Sequence, residues 1–487
     1  MKKDLQTKWV EIRIGDILDY EQPTKYIVES TEYHDSYKTP VLTPGKTFIK
    51  GFSNETDGIF ENLPVIIFDD FTTASRYVDF KFKVKSSAMK ILIPRQEWVN
   101  VKYIANWMQA HRIRSETHKR YWISTYSKQL IPLPPLPEQR AIVAKLEQLF
   151  SELEDGVANL QKAQQQLKVY RQAVLKKAFE GELTREWRAQ QTDLPTAEEL
   201  LAQIQAERER YYEQQLAEWK QAVADWEAEG KVGKKPRKPG KLKPIGIESP
   251  IQKDNQWTEI DLEKVADAID PQPSHRTPPK KEGGIPYISI ANFDKETGKI
   301  DFAGARKVDR KVLEEHIARY KLKKGDFVIG KIGTIGKPFF VPEERFFSLS
   351  ANLVLVCSLK TILPKYLFYL CSSPYIEQQF KQGAKATTQS AFGIKKVRTL
   401  RIPFCSLPEQ HQIVQEIESR LSVCDQLEQD IEANLKRAER LRQSLLQKAF
   451  AGELLTEAEL QACRAEPDWE PAEKLLERIK GETKSKA

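Results

Sequence analysis

Apolar residues recur three and four positions apart along two long stretches of this chain, one beginning near Pro137 and the other near Pro408. This spacing places the apolar side chains on one narrow seam, which is typical of a coiled-coil helix. The predicted seam residues are Ile142, Leu146, Leu149, Leu153, Leu160, Leu167 and Val174 in the first stretch, and Ile413, Ile417, Leu421, Leu427, Ile431, Leu441 and Leu445 in the second. Neither helix can bury its seam alone, so we expect them to pack on each other as a long antiparallel two-helix coiled coil.

The two stretches are copies of one another at a fixed offset. Pro137 aligns with Pro408 and Phe179 with Phe450, 271 positions apart in both pairs (408 − 137 and 450 − 179). Surface loops tolerate changes of length, so a copy without insertions indicates a rigid element. Each copy opens on Pro-Glu-Gln and closes on a glycine, Gly181 or Gly452, as the start and end of a helix require.

The segment before each long helix is rich in short strand patterns. Trp9–Ile14 and Trp257–Ile260 open the two segments with alternating apolar residues, and further runs follow, broken by Gly, Pro and Asn. A helical pattern covers Val99–His111 in the first segment. We therefore predict two α+β globular heads, one before each helix.

The whole chain is predicted to be a tandem repeat with pseudo-twofold symmetry. The predicted boundaries are 1–135 for the first head, 136–183 for the first helix, 184–250 for a helical spacer and basic linker, 251–406 for the second head, 407–455 for the second helix and 456–487 for the tail. AEELLAQI at 197–204 resembles AEKLLERI at 472–479, so the spacer and the tail repeat as well. We interpret Lys231–Lys243, a Lys/Pro/Gly run, as a mobile basic linker, with phosphate contact as the less favoured alternative.

Composition narrows the function without deciding it. The net charge of +8 over 487 residues is compatible with a polyanionic partner but does not establish one. No apolar run reaches the ~18 residues that span a bilayer, so we expect a cytoplasmic protein. The five cysteines form no C-x-x-C pair and the six histidines are scattered, which predicts reduced thiols and no metal.

Motifs for catalysis are missing from the sequence. It contains no Walker A motif, no H-E-x-x-H and no G-x-S-x-G. Gly330–Lys337 looks like a phosphate loop, but its glycines are three apart and a strand pattern follows, which favours a tight turn. We expect that the chain alone catalyses nothing.

Polar and basic residues follow the strands of both heads. Hydroxyl, amide and basic side chains on turns beside a rigid sheet can read base edges and bind phosphates. A solvated surface role for any one of them stays open. The candidate DNA-binding residues are Thr72, Thr73, Ser75, Arg76, Lys85, Ser87 and Lys90 in the first head, and Lys331, Thr334, Lys337, Ser350, Asn352, Thr388, Gln389 and Ser390 in the second.

Two heads, each running through an IPLPPLPEQR-like segment into a helix that ends in KAF-x-GEL, resemble the specificity subunit of type I restriction-modification systems. The second head also fits this family at 325–336 and at Ser350 and Asn352. The first head departs from it, with Phe68–Asp70 in place of a Gly-x-x-Gly turn and Ser87–Met89 in place of Ser-Ala-Asn.

The resemblance implies a function for each part. Each head would be a target-recognition domain for one half of a split DNA site, and the paired helices would set the gap and dock two methyltransferase subunits. Restriction subunits that translocate DNA would join the complex. The chain would bind no cofactor, whereas S-adenosylmethionine, Mg²⁺ and ATP would bind to the partner subunits. The alternatives are a coiled-coil scaffold whose heads bind proteins and, less favoured, a solitary enzyme.

Overall fold

The computed structural model describes residues 9–43, 47–95, 97–113, 120–233, 235–240, 256–272, 274, 276–295, 297–331, 336–344, 346–385 and 393–485. The chain divides into two compact units. Unit 1 contains Met1–Ala163 together with Asp430–Ala487, and unit 2 contains Gln164–Gln429. Each unit therefore holds one head, part of each long helix, and either the spacer or the tail.

The first head precedes the first long helix. Its elements are β1 (Val10–Arg13), α1 (Ile14–Ile17), β2 (Leu18–Glu21), β3 (Thr39–Leu42), β4 (Ile49–Ser53), β5 (Val65–Asp69), β6 (Ser75–Val78), β7 (Lys83–Val84), β8 (Met89–Pro94), α2 (Val101–Ala110) and β9 (Leu130–Leu133). The first long helix is α3 (Leu136–Phe179), and α4 (Arg185–Ala189) and α5 (Ala197–Ala228) follow it.

The second head has a matching order of strands and contains additional helices. Its elements are β10 (Thr258–Asp261), β11 (Ala266–Ile269), β12 (Ile285–Ile288), β13 (Arg306–Val308), α6 (Arg310–Arg319), β14 (Phe327–Gly330), β15 (Pro338–Phe340), β16 (Ser348–Leu349), β17 (Leu353–Ser358), α7 (Pro364–Cys371), α8 (Pro374–Lys385), α9 (Ile394–Arg398) and β18 (Arg401–Phe404). The second long helix, α10 (Leu407–Phe450), leads to α11 (Glu457–Arg464) and α12 (Ala472–Ser485).

The two heads share one sheet topology. The strand order is β2-β8-β5-β6 in the antiparallel sheet of the first head and β11-β17-β14-β15 in that of the second. A three-stranded sheet accompanies each, β4-β3-β7 and β13-β12-β16, with one parallel pair in both. The first strand of each head pairs with the strand that enters the long helix, β1 with β9 and β10 with β18. The predicted α+β tandem repeat is confirmed.

The central strand β5 shows how the core is built. All five of its residues are buried, because alternate side chains enter different cores. Ile66 and Phe68 pack with α2 residues such as Ile104, whereas Val65 and Ile67 pack with the three-stranded sheet. The sheet is therefore covered on both faces, which fixes the turns at its ends.

The long helices contain 44 residues each, about 66 Å at 1.5 Å per residue. Each ends in a left-handed glycine, Gly181 at φ +75° and Gly452 at φ +74°, as predicted. The helices run antiparallel within each unit. In unit 1 the start of α3 clusters with the end of α10, and Glu154, further along α3, meets Arg442 at 3.0 Å. In unit 2 the end of α3 clusters with the start of α10, and Arg171, earlier in α3, meets Glu428 at 2.9 Å.

The predicted seam is buried most deeply where the helices enter the heads. Ile142 and Leu146 belong to the core of the first head, and Val174, Ile413 and Ile417 belong to the core of the second. Ile431 is also buried. The half-buried seam residues are Leu149, Leu153, Leu160, Leu167, Leu421 and Leu445.

Two predicted seam residues differ from this pattern. Leu427 is 45% exposed and Leu441 is 48% exposed. The neighbouring positions belong to the charged residues Glu428 and Arg442, which form the interhelical ion pairs. A charged pair therefore takes the seam position at both places, and the leucine beside it is displaced toward solvent.

The spacer and the tail each pack on a head. Leu200 and Ile204 of α5 are buried in the core of the second head. Leu475 and Ile479 of α12 are buried in the core of the first. The repeated sequence AEELLAQI/AEKLLERI therefore marks one docking element that is used twice.

Candidate nucleic-acid interface

A buried carboxylate joins the second head to the start of α10. Glu409 is 1% exposed and accepts hydrogen bonds from the indole N–H of Trp257 at 3.0 Å and from the hydroxyl of Thr184 at 2.8 Å. Its remaining partner is the Arg188 guanidinium at 2.5 Å, which is itself 6% exposed. The buried charge is thus both paired and hydrogen-bonded, as a charge away from water must be.

The first head has the corresponding junction with different partners. Glu138 at the start of α3 is fully buried and accepts the indole N–H of Trp9 at 2.9 Å. The indole N–H of Trp469, from the tail, approaches it at 3.4 Å. The glutamate of Pro-Glu-Gln therefore fixes the head to the helix in both units.

The glutamine of the same motif connects the long helix to a helix of the head. Gln139 accepts the backbone N–H of Asn100 at 2.8 Å, just before α2, and Gln410 accepts that of Leu363 at 2.8 Å, just before α7. A tyrosine hydroxyl in each of those helices donates to the entering strand, from Tyr103 and Tyr366. Burial raises the pKa of both tyrosines well above its usual value, so both remain donors.

Two turns of the first head lie side by side. The turn after β5 is tied to the turn before β8 by a hydrogen bond from the N–H of Asp70 to the carbonyl of Ala88 at 3.3 Å. The Asp70 carboxylate accepts the backbone N–H of Trp122 at 2.8 Å and pairs with Lys90 at 3.6 Å. Asp69 holds the first turn by accepting the hydroxyl of Thr72 at 2.5 Å.

The second head brings the corresponding turns together. The N–H of Lys331, after β14, donates to the carbonyl of Asn352, before β17, at 2.8 Å. The Lys331 ammonium pairs with Asp270 at 2.9 Å while it is 8% exposed. Ser350 donates its hydroxyl to the Asn352 side chain, and Lys337 donates to the carbonyl of Lys295. In both heads the same two turns lie together at one end of the antiparallel sheet.

A family model described as the type I restriction modification DNA specificity domain matches residues 6–161 and 255–437, which cover both heads and much of both long helices. The chain belongs to this family. The resemblance drawn from the repeated motifs is therefore confirmed.

Relatives and a solved structure agree with this assignment. The type I restriction enzyme EcoR124I/EcoR124II specificity subunit of Escherichia coli is 42% identical over 197 residues, 38% of this chain and 47% of that relative. The match thus spans about half of the relative's length. The EcoBI specificity subunit of Escherichia coli is 26% identical over 371 residues, 76% of this chain and 67% of the relative. A chain from a study of complex assembly in a type I restriction-modification system has the same fold, with a TM-score of 0.56 and 17% identity over 92% of this chain and 98% of that one.

The predicted DNA-binding residues divide by exposure. The exposed ones are Thr72, Arg76, Ser87 and Lys337, and Lys85 and Asn352 are half-buried. The buried ones are Thr73, Ser75, Lys90, Lys331 and Ser350. Thr334, Thr388, Gln389 and Ser390 lie outside the described residues.

For the buried group, the structure does not fit the prediction of direct DNA contact. Lys90 and Lys331 use their charges on Asp70 and Asp270. Thr73 exchanges hydrogen bonds with the backbone of Ile113. These three side chains hold the turns in place, whereas the buried Ser75 hydroxyl has no hydrogen-bond partner among the described residues and lines a cleft with Thr72 and Arg76.

Sequence reasoning missed a basic residue beside the first head's turns. A polar cleft is lined by Thr72 and Arg76 and also by Gln109, Arg112 and Arg442. Arg112 donates to the backbone carbonyl of Thr72 at 3.4 Å. Its only sequence signal is its place just after the helix α2, because the contact spans 40 positions.

The described residues contain no candidate metal site and no paired cysteines. Within them, no group of three or more His, Cys, Asp or Glu side chains could hold a metal ion. All five cysteines are unpaired thiols, and burial raises the pKa of Cys371 to about 12, so that thiol is not a nucleophile near neutral pH. In the same part of the chain, no helix combines the length and apolar character needed to cross a membrane.

Proposed function

We propose that the chain is the sequence-specific DNA-binding subunit of a type I restriction-modification complex and that each head reads one half of a bipartite site. The observation that carries this proposal is the pair of turns repeated in both heads. The scaffold beneath the turns is the same, but the accessible side chains differ, with exposed Thr72, Arg76 and Ser87 in one head and exposed Lys337 and half-buried Asn352 in the other. A shared frame with different polar side chains is what two different half-sites require.

The paired helices set the gap between the half-sites in this proposal. Their length is identical, and the Pro-Glu-Gln junction fixes each head to a helix by buried hydrogen bonds. A head held in this way cannot slide along its helix. The number of residues in the helices therefore determines the number of base pairs between the half-sites.

The same helices dock two methyltransferase subunits. In unit 1, Leu153, Val157 and Leu160 line an apolar groove with Ala438 and Leu441. In unit 2, four exposed apolar side chains lie on the helices, at Val169, Tyr170, Val423 and Leu427. Exposed apolar surface on a coiled coil is typical of a protein interface. The groove in unit 1 and the exposed apolar side chains in unit 2 therefore support one partner subunit for each unit.

The chemistry belongs to the partners. S-adenosylmethionine binds to the methyltransferase subunits, and Mg²⁺ and ATP serve the restriction subunits that translocate DNA. This chain binds none of them and recognises the DNA sequence. The absence of catalytic motifs from its sequence supports this division of labour.

The experiment is to co-express the chain with the methyltransferase encoded beside it and to map methylated adenines across the host genome. The proposal predicts one split motif with a constant gap. A map without a motif, or methylation by the chain alone, would contradict it. If the heads bind proteins instead, the co-expressed complex would give the same gel shift with every DNA sequence.

A further inference from the structure

The helix α5 continues beyond the second head as an arm. Leu200 and Ile204 are buried in the head, and the hydroxyl of Tyr211 still reaches Asp267 at 2.9 Å. From residue 212 to 228, no side chain of the helix is buried. The second half of this 32-residue helix therefore extends away from the core that holds its first half.

The chain then reverses and packs back along the arm. Gly230 at φ +78° ends the helix, and the N–H of Lys231 donates to the carbonyl of Trp226 at 2.9 Å. The indole N–H of Trp226 donates to the carbonyl of Gly233 at 3.4 Å, and that of Trp219 donates to the carbonyl of Pro236 at 3.0 Å. The described part of the run predicted to be a mobile linker therefore makes specific contacts with the arm.

The two tryptophans lie on one face of the helix. Trp219 and Trp226 are seven residues apart, about 10.5 Å at 1.5 Å per residue and nearly two full turns. Both indoles therefore hold a carbonyl of the returning segment, those of Pro236 and Gly233.

The returning segment displays basic side chains. Lys231, Lys235, Arg237 and Lys238 are all exposed. Lys235 lies 5.9 Å from the ring centre of Trp226, and Lys238 lies 5.5 Å from that of Trp219. Across the described residues, no ion pair joins any of the four to an acid. The indole contacts order Lys235 and Lys238 without neutralising their charges.

Two acidic residues of the arm lie away from the indoles. Glu218 and Asp225 each immediately precede a tryptophan, which places them about 100° around the helix from the indoles. Both accept hydrogen bonds from glutamines on their own face, at 2.9 Å from Gln214 and 2.8 Å from Gln221. Glu227, which follows Trp226, lies about 100° to the other side of the indoles.

The arm begins beside the strand that leads to the candidate DNA turns of the second head. Tyr211 contacts Asp267 of β11, and Arg208, one turn earlier on α5, lies near the same carboxylate. Asp267 is three residues before Asp270, the partner of Lys331. The basic segment is therefore carried by a helix that leaves the head at the strand leading to Asp270.

We propose that the basic edge of this arm, formed by Lys231, Lys235, Arg237 and Lys238, binds the phosphate backbone of DNA beside the half-site read by the second head. The inference rests on the proposed DNA-binding function. Phosphate contact adds affinity but carries no sequence information. The arm therefore strengthens binding without changing the recognised bases.

The test compares DNA binding by the assembled methyltransferase complex over a range of salt concentrations, with a duplex that carries the mapped site. The variant replaces all four residues: Lys231→Gln, Lys235→Gln, Arg237→Gln and Lys238→Gln. Each phosphate contact contributes about 0.9 to the slope of log affinity against log salt, so the slope is expected to fall by about 3 to 4. The methylation map is expected to stay the same.

A charge-preserving variant is the matched control. Lys231→Arg, Lys235→Arg, Arg237→Lys and Lys238→Arg retain four cations and are expected to retain the wild-type slope. A glutamine variant with an unchanged slope would overturn the inference. The inference would also be overturned if the glutamine variant kept the wild-type slope but separated from its methyltransferase subunits in size-exclusion chromatography. That result would assign the basic edge to a protein partner. If the wild-type complex itself shows no preference for a split site, the proposed function fails instead.

Discussion

Trp257 donates its indole N–H to the Glu409 carboxylate over 3.0 Å, and both side chains are 1% exposed. The two residues are 152 positions apart, in the first strand region of the second head and in the first turn of α10. A neutral donor and a charged acceptor that are both excluded from water form a strong bond. This contact holds the second head on its helix.

Glu409→Gln is expected to destabilise unit 2 by about 3–5 kcal/mol, because the buried Arg188 guanidinium loses its counter-charge. The measurement is unfolding in urea followed by tryptophan fluorescence. The matched control combines Glu409→Gln with Arg188→Met, which removes both buried charges and is expected to recover part of the loss. A double variant no more stable than Glu409→Gln alone would contradict the role assigned to Arg188.

Asp270→Asn is expected to destabilise the second head by about 3–5 kcal/mol, since it leaves the Lys331 ammonium buried without its counter-charge. The double variant Asp270→Asn with Lys331→Met removes both charges and is expected to recover much of the loss. Urea unfolding of the two single variants and the double variant gives the coupling. If the single losses simply add, the two side chains do not act as a pair.

Arg76→Ala is expected to weaken binding of the mapped DNA by about 1–3 kcal/mol if the arginine reads a base, and to relax the first half-site at one position. The control is Lys81→Ala, an exposed cation past the opposite end of β6 that is paired with Glu61 at 2.7 Å. Fluorescence anisotropy with matched and single-mismatch duplexes gives both quantities. Equal effects from the two substitutions would remove Arg76 from the reading surface.

Acid should loosen the tail from the start of α3. The hydrogen bond from Lys145 lowers the pKa of Glu459 to about 2, from a usual value of 4.5. The carboxylate therefore stabilises the folded state above about pH 4.5, and this contribution is lost as the pH falls toward 2. The difference in stability between wild type and Glu459→Gln, measured by urea unfolding, should shrink from pH 7 to pH 3. A constant difference would show that the ion pair does not couple folding to pH.

The repeated architecture could be predicted from the sequence, because local periodicity and a fixed offset encode it. The seam spacing and the terminal glycines gave both long helices, and alternating residues gave the strands near Trp9 and Trp257. These signals arise within about ten residues of each other, where steric and burial preferences act directly.

Whether a candidate site residue is exposed or buried in an ion pair depends on partners that are distant in the sequence. Lys90 and Lys331 look like surface cations in the sequence, but their acids lie 20 and 61 positions earlier, at Asp70 and Asp270. The seam prediction was wrong at Leu427 for a related reason, because the adjacent residue Glu428 forms an ion pair with Arg171 on the other helix. The arm is different, because its signal is local. Two tryptophans seven residues apart precede the Gly/Pro/Lys run, but the composition of the run alone led to the prediction of a linker.

The most direct test of the account shortens the coiled coil by one turn in both helices and maps methylation again. Deleting 161–164 and 432–435 removes about 6 Å from each helix, or nearly two base pairs of B-DNA, and keeps the apolar groove of unit 1, while a four-residue change alters the winding of a coiled coil only locally. Both half-sites are expected to stay the same, and the gap between them is expected to become about two base pairs shorter. A shortened protein that still methylates sites with the original gap would contradict the account.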